Sequence, residues 1–122
     1  MGSTITGWGT SLPEKVLTNV DLEGWLDTSD EWIQERTGIR ERRVGGVTSA
    51  MAVEAAQKAM DRAAIAPEDV DVLVVATTTP DQTVPATAST VQEALGLDCG
   101  AFDLNAACSG FVYALVVAHG LL

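Results

Sequence analysis

The chain has 122 residues, 17 acidic and 7 basic, a formal net charge of −10 and 47% hydrophobic residues. That length fits one ordinary domain and excludes a multidomain machine within the chain, and the apolar fraction excludes an acidic disordered polymer. The charge argues against nucleic acid as a partner, because acidic protein and phosphate repel. Residues 4–8 then read as a strand ended by glycines and Pro13. Gly7 and Gly9 read as turn residues, since Leu12 stands where a dinucleotide fingerprint needs a third glycine. Asn19, followed by Asp21 and Glu23, predicts a helix start with Asn19 as N-cap. Thr28 to Glu31 match a capping box and Gly38 supplies a stop, so a short helix is expected over 29–37. Extended chain follows at 39–44.

Residues 49–65 carry the clearest amphipathic pattern. Val53, Ala56, Met60 and Ala63 share one face, while Glu54, Lys58, Asp61 and Arg62 lie elsewhere. Pro67 ends that helix and leads into 70–78, whose apolar residues run nearly without interruption. Such a strand belongs to a parallel sheet covered on both faces. A helix over 86–95 precedes a strand over 101–104. The alternation of apolar runs and helical stretches predicts a layered α/β domain with a parallel sheet.

Charge is unevenly placed. All seven cations fall in the first 62 residues, four of them (Arg36, Arg40, Arg42, Arg43) within eight positions. Residues 63–122 carry seven acids and no Lys or Arg, which predicts that this half lies largely inside something. Cys99 and Cys108 are too few for a disulfide scaffold or zinc ribbon, so no metal site is expected. The first residues lack the basic and apolar regions of a signal peptide, which predicts a reducing, cytoplasmic compartment with free thiols. The charge-free run 104–122 is read as a buried helix and not a membrane span, which takes about 20 predominantly apolar residues. Phe111, Val112 and Leu115 lie on one side of it, with Tyr113, Ala114, Val117 and Leu121 on the other. A helix with no polar face needs cover all round, and so few elements cannot wrap it. A partner or a continuation of the chain is expected.

Two groups of residues could carry chemistry. Cys108 sits at a strand-to-helix junction between small residues, Ala106 and Ala107 before it and Ser109 and Gly110 after it. A helix N-terminus favours thiolate and offers amides to an oxyanion on an attached thioester. A small buried cysteine is the competing reading, and spacing alone favours it. Cys99 lacks such a setting and reads as structural. His119 lies 11 residues beyond Cys108 on one helix, ~16 Å away at 1.5 Å per residue, too far to be its direct base. Trp32 and Arg36 stand one turn apart, with Thr28 at the start of their helix. An indole beside a guanidinium suits a nucleotide-bearing ligand, and a core tryptophan with a solvated arginine is the alternative.

The stretches ITGWGTSLP, TSDEWIQERTGIRERRV, VDVLVVATTTPD and AFDLNAACSGFVYAL cover almost the whole chain. In that order they resemble the β-ketoacyl-[acyl-carrier-protein] synthase III family of thiolase-like condensing enzymes. The resemblance implies a layered αβαβα fold of which residues 1–122 are the N-terminal half, ending within the helix after the nucleophile. It implies that Cys108 accepts an acyl group from an acyl-CoA primer, which then condenses with malonyl-ACP with loss of carbon dioxide, with no further cofactor. It implies that Trp32 carries the CoA adenine and that Arg36 and Thr28 contact the nucleotide end. The loop of Thr83, Val84 and Pro85 would close the acyl pocket across a homodimer, with Val84 against the acyl chain. The family's catalytic His and Asn have no match here and are expected from a C-terminal half. HMG-CoA synthase-like, chalcone synthase-like and polyketide starter-unit enzymes are alternatives, as is a non-catalytic CoA-binding or dimerisation subunit.

Overall fold

The computed structural model describes residues 2–121. In chain order these form β1 (Val16–Thr18), α1 (Asn19–Glu23), α2 (Asp30–Thr37), β2 (Glu41–Arg43), α3 (Thr48–Ala63), a 3-10 turn (Pro67–Asp69), β3 (Val72–Ala76), α4 (Thr87–Leu95), β4 (Gly100–Leu104), a second 3-10 turn (Ala107–Ser109) and α5 (Gly110–Leu121). They fall into two compact units, Leu12–Gly46 and Met1–Ser11 with Val47–Leu122. Among the described residues, no helix is long and apolar enough to cross a membrane.

The unit Leu12–Gly46 is held by polar chemistry as much as by apolar burial. β1 pairs antiparallel with β2, Val16 opposite Arg43 and Thr18 opposite Glu41. Asn19 is 1% exposed. Its Nδ2 donates to Asp30 Oδ1 at 2.8 Å and to the Ile39 carbonyl at 2.7 Å, and its Oδ1 accepts from Arg42 Nη2 at 2.6 Å. One amide thus ties α2, the chain leaving it and β2 together, with every strong bond satisfied. Asn19 is therefore not the N-cap that its neighbours suggest. Thr18 takes that place: its hydroxyl accepts from Asp21 N while the Asp21 carboxylate accepts from Thr18 N. Likewise Ser29 caps α2, accepting from Trp32 N at 3.1 Å, and Thr28 stands one residue before the cap. Gly38 closes α2 at φ 71°, a left-handed stop in the expected position.

The other unit is a β–α–β arrangement. β3 and β4 run parallel, Val72 opposite Gly100 and Ala76 opposite Leu104, with α4 as the crossover. Met60 of α3, Val75, and Ala88, Val91 and Leu95 of α4 form its core with Leu97, and Val53 and Ala56 pack against them. The helical face read from the sequence is the one that is buried. Of the apolar run in β3 only Val75 is fully buried, Val72 to Val74 being half-buried and Ala76 exposed. α5 meets β3 through Gly110, where a Cβ would stand 3.4 Å from that of Ala76. Beyond it Phe111 is 70% exposed, Val116 62% and Val112 60%. The expected need for cover is visible as bare apolar surface.

The expected strand at 4–8 does not form. Its stretch lies along α3, whose polar face takes its carbonyls: Arg62 Nη1 donates to Trp8 O at 2.6 Å and Lys58 Nζ to Thr10 O at 2.9 Å. The Arg62 guanidinium stacks 3.9 Å from the Trp8 ring centre, and Ser11 donates to Glu54, which also pairs with Lys58. Gly7 and Gly9 do not stand in a turn. They are glycines because a Cβ would overlap the carbonyl of Ala59 at Gly7 and of Ala55 at Gly9.

Acid should loosen the unit Leu12–Gly46. The Asn19 hydrogen bond, then Gln34 and the charge of Arg40, hold the Asp30 carboxyl below its ordinary value, and the Thr18 amide and hydroxyl do the same for Asp21. A carboxyl with a depressed folded-state pKa adds stability that is present above its unfolded value, about 3.9, and lost as pH falls through the folded one. Urea titrations followed by circular dichroism should therefore show stability falling below about pH 4, and falling less steeply in Asp30→Asn. An identical slope in the variant would remove Asp30 from this account.

Candidate active site

The carboxyl ends of β3 and β4 emerge side by side, with Thr77 N donating to Leu104 O at 3.0 Å just beyond them. In α/β sheets this is the edge where ligands gather. From β4 the chain turns at once. Asn105 Oδ1 accepts from Ala107 N at 3.2 Å, and Ser109 N donates to Ala106 O at 3.0 Å. Ala107 lies in the left-handed region at φ 46°, a conformation costing a non-glycine residue about 1–3 kcal/mol. That turn delivers Cys108, as a free and exposed thiol, directly before α5. The small residues read from the sequence leave it uncovered.

Cys99 is different. It is half-buried against the core, and its carbonyl accepts from Gln92 Nε2 at 2.6 Å. His119 sits in the last turn of α5 and pairs through Nδ1 with Ser3 Oγ at 2.7 Å. Its separation along α5 keeps it from Cys108, as the helical spacing predicts. Ser3, Thr4, Ile5, Leu115, Ala118 and His119 line a cavity of about 350 Å³ on that side of the helix.

Val84, in the same unit as Cys108, is 82% exposed in the loop between β3 and α4, joined to Pro85 by a cis peptide. The loop is anchored on both sides of it. Thr48 Oγ1 donates to Thr79 O at 2.6 Å, Ser49 N to Asp81 Oδ1 at 3.1 Å, and Asp81 N to Thr87 Oγ1 at 3.0 Å. Sequence reasoning passed over Asp81. It also passed over Asp103, which accepts from Thr87 N and Ala88 N at 2.8 Å each. The available signal was that Val47 and Ala86, which precede α3 and α4, cannot cap a helix with their side chains.

The remaining candidates lie in the unit Leu12–Gly46. Trp32 is 54% exposed, which overturns its reading as a core residue. The Arg36 guanidinium stands 5.9 Å from its ring centre. A cavity of about 360 Å³ is lined by Asp27, Thr28, Ser29 and Trp32. The structure thus brings Thr28 and Trp32 to one cavity, with Arg36 against the ring, and adds Ser29, which lies inside the motif, and Asp27, which lies just before it.

No family model matches the chain. Among curated proteins, a β-ketoacyl-[acyl-carrier-protein] synthase III of Erythrobacter litoralis is 56% identical over 124 residues, covering 98% of this chain and 39% of its own length. Among solved structures, the β-ketoacyl-[acyl-carrier-protein] synthase III of Thermus thermophilus matches with TM-score 0.90 and 49% identity, over 98% of this chain and 38% of that one. The 3-oxoacyl-[acyl-carrier-protein] synthase III of Aquifex aeolicus matches with TM-score 0.88 and 48% identity, over 96% and 39%. The chain spans about 39% of the length of the curated relative it matches. In sequence and in its α/β fold, the chain thus matches a segment of β-ketoacyl-[acyl-carrier-protein] synthase III proteins, the likeness its motifs indicate.

Proposed function

We propose that this chain supplies the nucleophile and the CoA-binding residues of an acyltransferase that condenses a short acyl-CoA primer with malonyl-ACP and so initiates fatty-acid synthesis. The observation that carries this reading is Cys108, exposed on a strained turn at the carboxyl ends of two parallel strands, within a segment homologous to such synthases. Its sulfur attacks the primer's thioester carbonyl, a new C–S bond forms, and CoA leaves as the thiol. Malonyl-ACP then loses carbon dioxide, and the resulting enolate attacks the acyl carbonyl and expels the Cys108 thiolate. The positive end of α5 lies beside the oxygen on which charge develops.

Trp32 stacks the CoA adenine, with Arg36 and Thr28 at the nucleotide end, a role supported by the exposed ring and its cavity. Residues 1–122 act as the N-terminal half of a thiolase-like domain. A C-terminal half supplies the His and Asn that handle protons and covers the bare face of α5. The complete enzyme works in the cytoplasm as a homodimer, in which the Val84 loop closes the acyl pocket of the partner. The exposure of Val84 supports that placement.

Incubating the complete protein with a radiolabelled short acyl-CoA should place the label on the peptide bearing Cys108, and Cys108→Ala should abolish condensation. Label on Cys99, or retained turnover in the variant, would sink the assignment. Trp32→Ala should weaken acyl-CoA use by ~1–3 kcal/mol, on the scale of base–aromatic stacking, while acylation by a pantetheine thioester lacking adenine stays nearly unchanged. Equal damage with both donors would return Trp32 to a structural role.

The bare face of α5 generates a further expectation. Each of its large apolar side chains is worth roughly 1.5–3 kcal/mol when fully buried. The isolated 122-residue polypeptide should therefore aggregate or lack fixed packing, and show no condensation. Co-expression with the C-terminal half of a complete synthase III should restore solubility and turnover together, as read by size-exclusion chromatography and product formation. A well-packed, active 122-residue monomer would contradict it.

A further inference from the structure

The starts of α3 and α4 share a feature that an ordinary cap does not explain. A helix's first amides need acceptors. Here both sets receive them from distant carboxylates, Asp81 and Asp103, and the two are linked. Asp103 on β4 holds Thr87 N and Ala88 N, the Thr87 hydroxyl accepts from Asp81 N, and the Asp81 carboxylate accepts from Ser49 N. Thr87 and Ala88 are fully buried, so these bonds are made away from water, where a missing partner is costly. The run of bonds touches both reactive places in this unit. Asp103 lies two residues before Asn105, whose side chain sets the turn into Cys108. Val84 lies midway between Asp81 and Thr87, three residues from each.

Resting on the acyl-transfer reading of Cys108 and Val84, we propose that Asp103 is a positioning residue for acyl-chain selection: through Thr87 it fixes the Val84 loop on its own protomer, and so the wall that this loop presents to the partner's acyl pocket. The two amides facing it require two acceptor oxygens at 2.8 Å. A carboxylate offers both. Asparagine has nearly the same volume but replaces one acceptor with a donor, so it sets an N–H against an N–H and tilts the first turn of α4. The loop moves with that turn, because Thr87 is bonded to both sides. Only the arrangement of Val84 against the acyl chain should then change, while Cys108 keeps its own Asn105-built turn.

The test uses the complete protein that contains this chain, with acylation of Cys108 followed by peptide mass for acetyl-CoA and for longer straight-chain acyl-CoAs. Asp103→Asn should change the ratio of the two acylation rates by roughly three- to tenfold, short of the full discrimination one methylene commands. Asp69→Asn serves as comparison, since its carboxylate caps a turn by accepting from Ala66 N at 2.8 Å. It should lower the melting temperature without moving the ratio. Thr87→Val, which removes only the acceptor of Asp81 N, should shift the ratio in the same direction as Asp103→Asn, and Thr87→Ser should restore it. This pair decides the matter even if Asp103→Asn does not fold. Acylated Cys108 with an unchanged ratio in Asp103→Asn and Thr87→Val overturns this proposal alone. No acylation of Cys108 in the unsubstituted protein overturns the functional reading and this proposal with it.

Discussion

Parallel pairing of β3 with β4 is the constraint from which the rest of the larger unit follows. Two parallel neighbours cannot be joined by a tight turn, so the chain must cross over, and α4 makes that crossing. The crossing brings the carboxyl ends of both strands to one edge. The loop after β3, which carries Val84, and the turn after β4, which carries Cys108, both leave from that edge. The helix that makes the crossing is in turn held at its first turn by a carboxylate of β4 itself, so strand and crossover are locked to each other at that edge.

The smaller unit solves a different problem. It buries little apolar surface, with Ile33 its one buried hydrophobic side chain among the described residues. Asn19 takes the central place instead, with both its Nδ2 donors on Asp30 and Ile39 and its Oδ1 on Arg42. A polar centre of this kind specifies geometry closely, because each partner has a direction as well as a distance. The same centre fixes the start of α2, and with it the side on which Trp32 and Arg36 stand.

Elements set by local pattern were legible before any coordinates: α3 from its apolar stripe, β3 from its uninterrupted run, the close of α2 from Gly38, and the Cys108 turn from its small neighbours. What escaped depends on contacts made at a distance. The stretch 4–8 has the composition of a strand, yet its Trp8 carbonyl goes to Arg62 and that of Thr10 just beyond it to Lys58, more than 40 residues along the chain. Asn19 has the identity and position of a cap, yet its partners on α2, Ile39 and β2 claim it, and the hydroxyl of Thr18 caps in its place. Asp81 and Asp103 could not be assigned as caps from spacing, because each lies over 15 residues from a helix start it serves. Candidate site residues were easier to single out than their supports. Cys108 and Trp32 sit in compact motifs, whereas the groups that hold them in place are scattered.

The three tryptophans divide unevenly between the units. Trp25 and Trp32 belong to Leu12–Gly46, both more than half exposed, while Trp8 belongs to the other unit and lies under the guanidinium of Arg62. The chain's ultraviolet emission is therefore weighted toward the smaller unit. With tryptophan alone excited, so that Tyr113 of the other unit stays silent, replacing Trp8 with phenylalanine would confine that emission to the smaller unit. Light from Trp25 and Trp32 would then report on the Asn19-centred unit and on whatever stacks against Trp32, while the unit carrying Cys108 stayed dark.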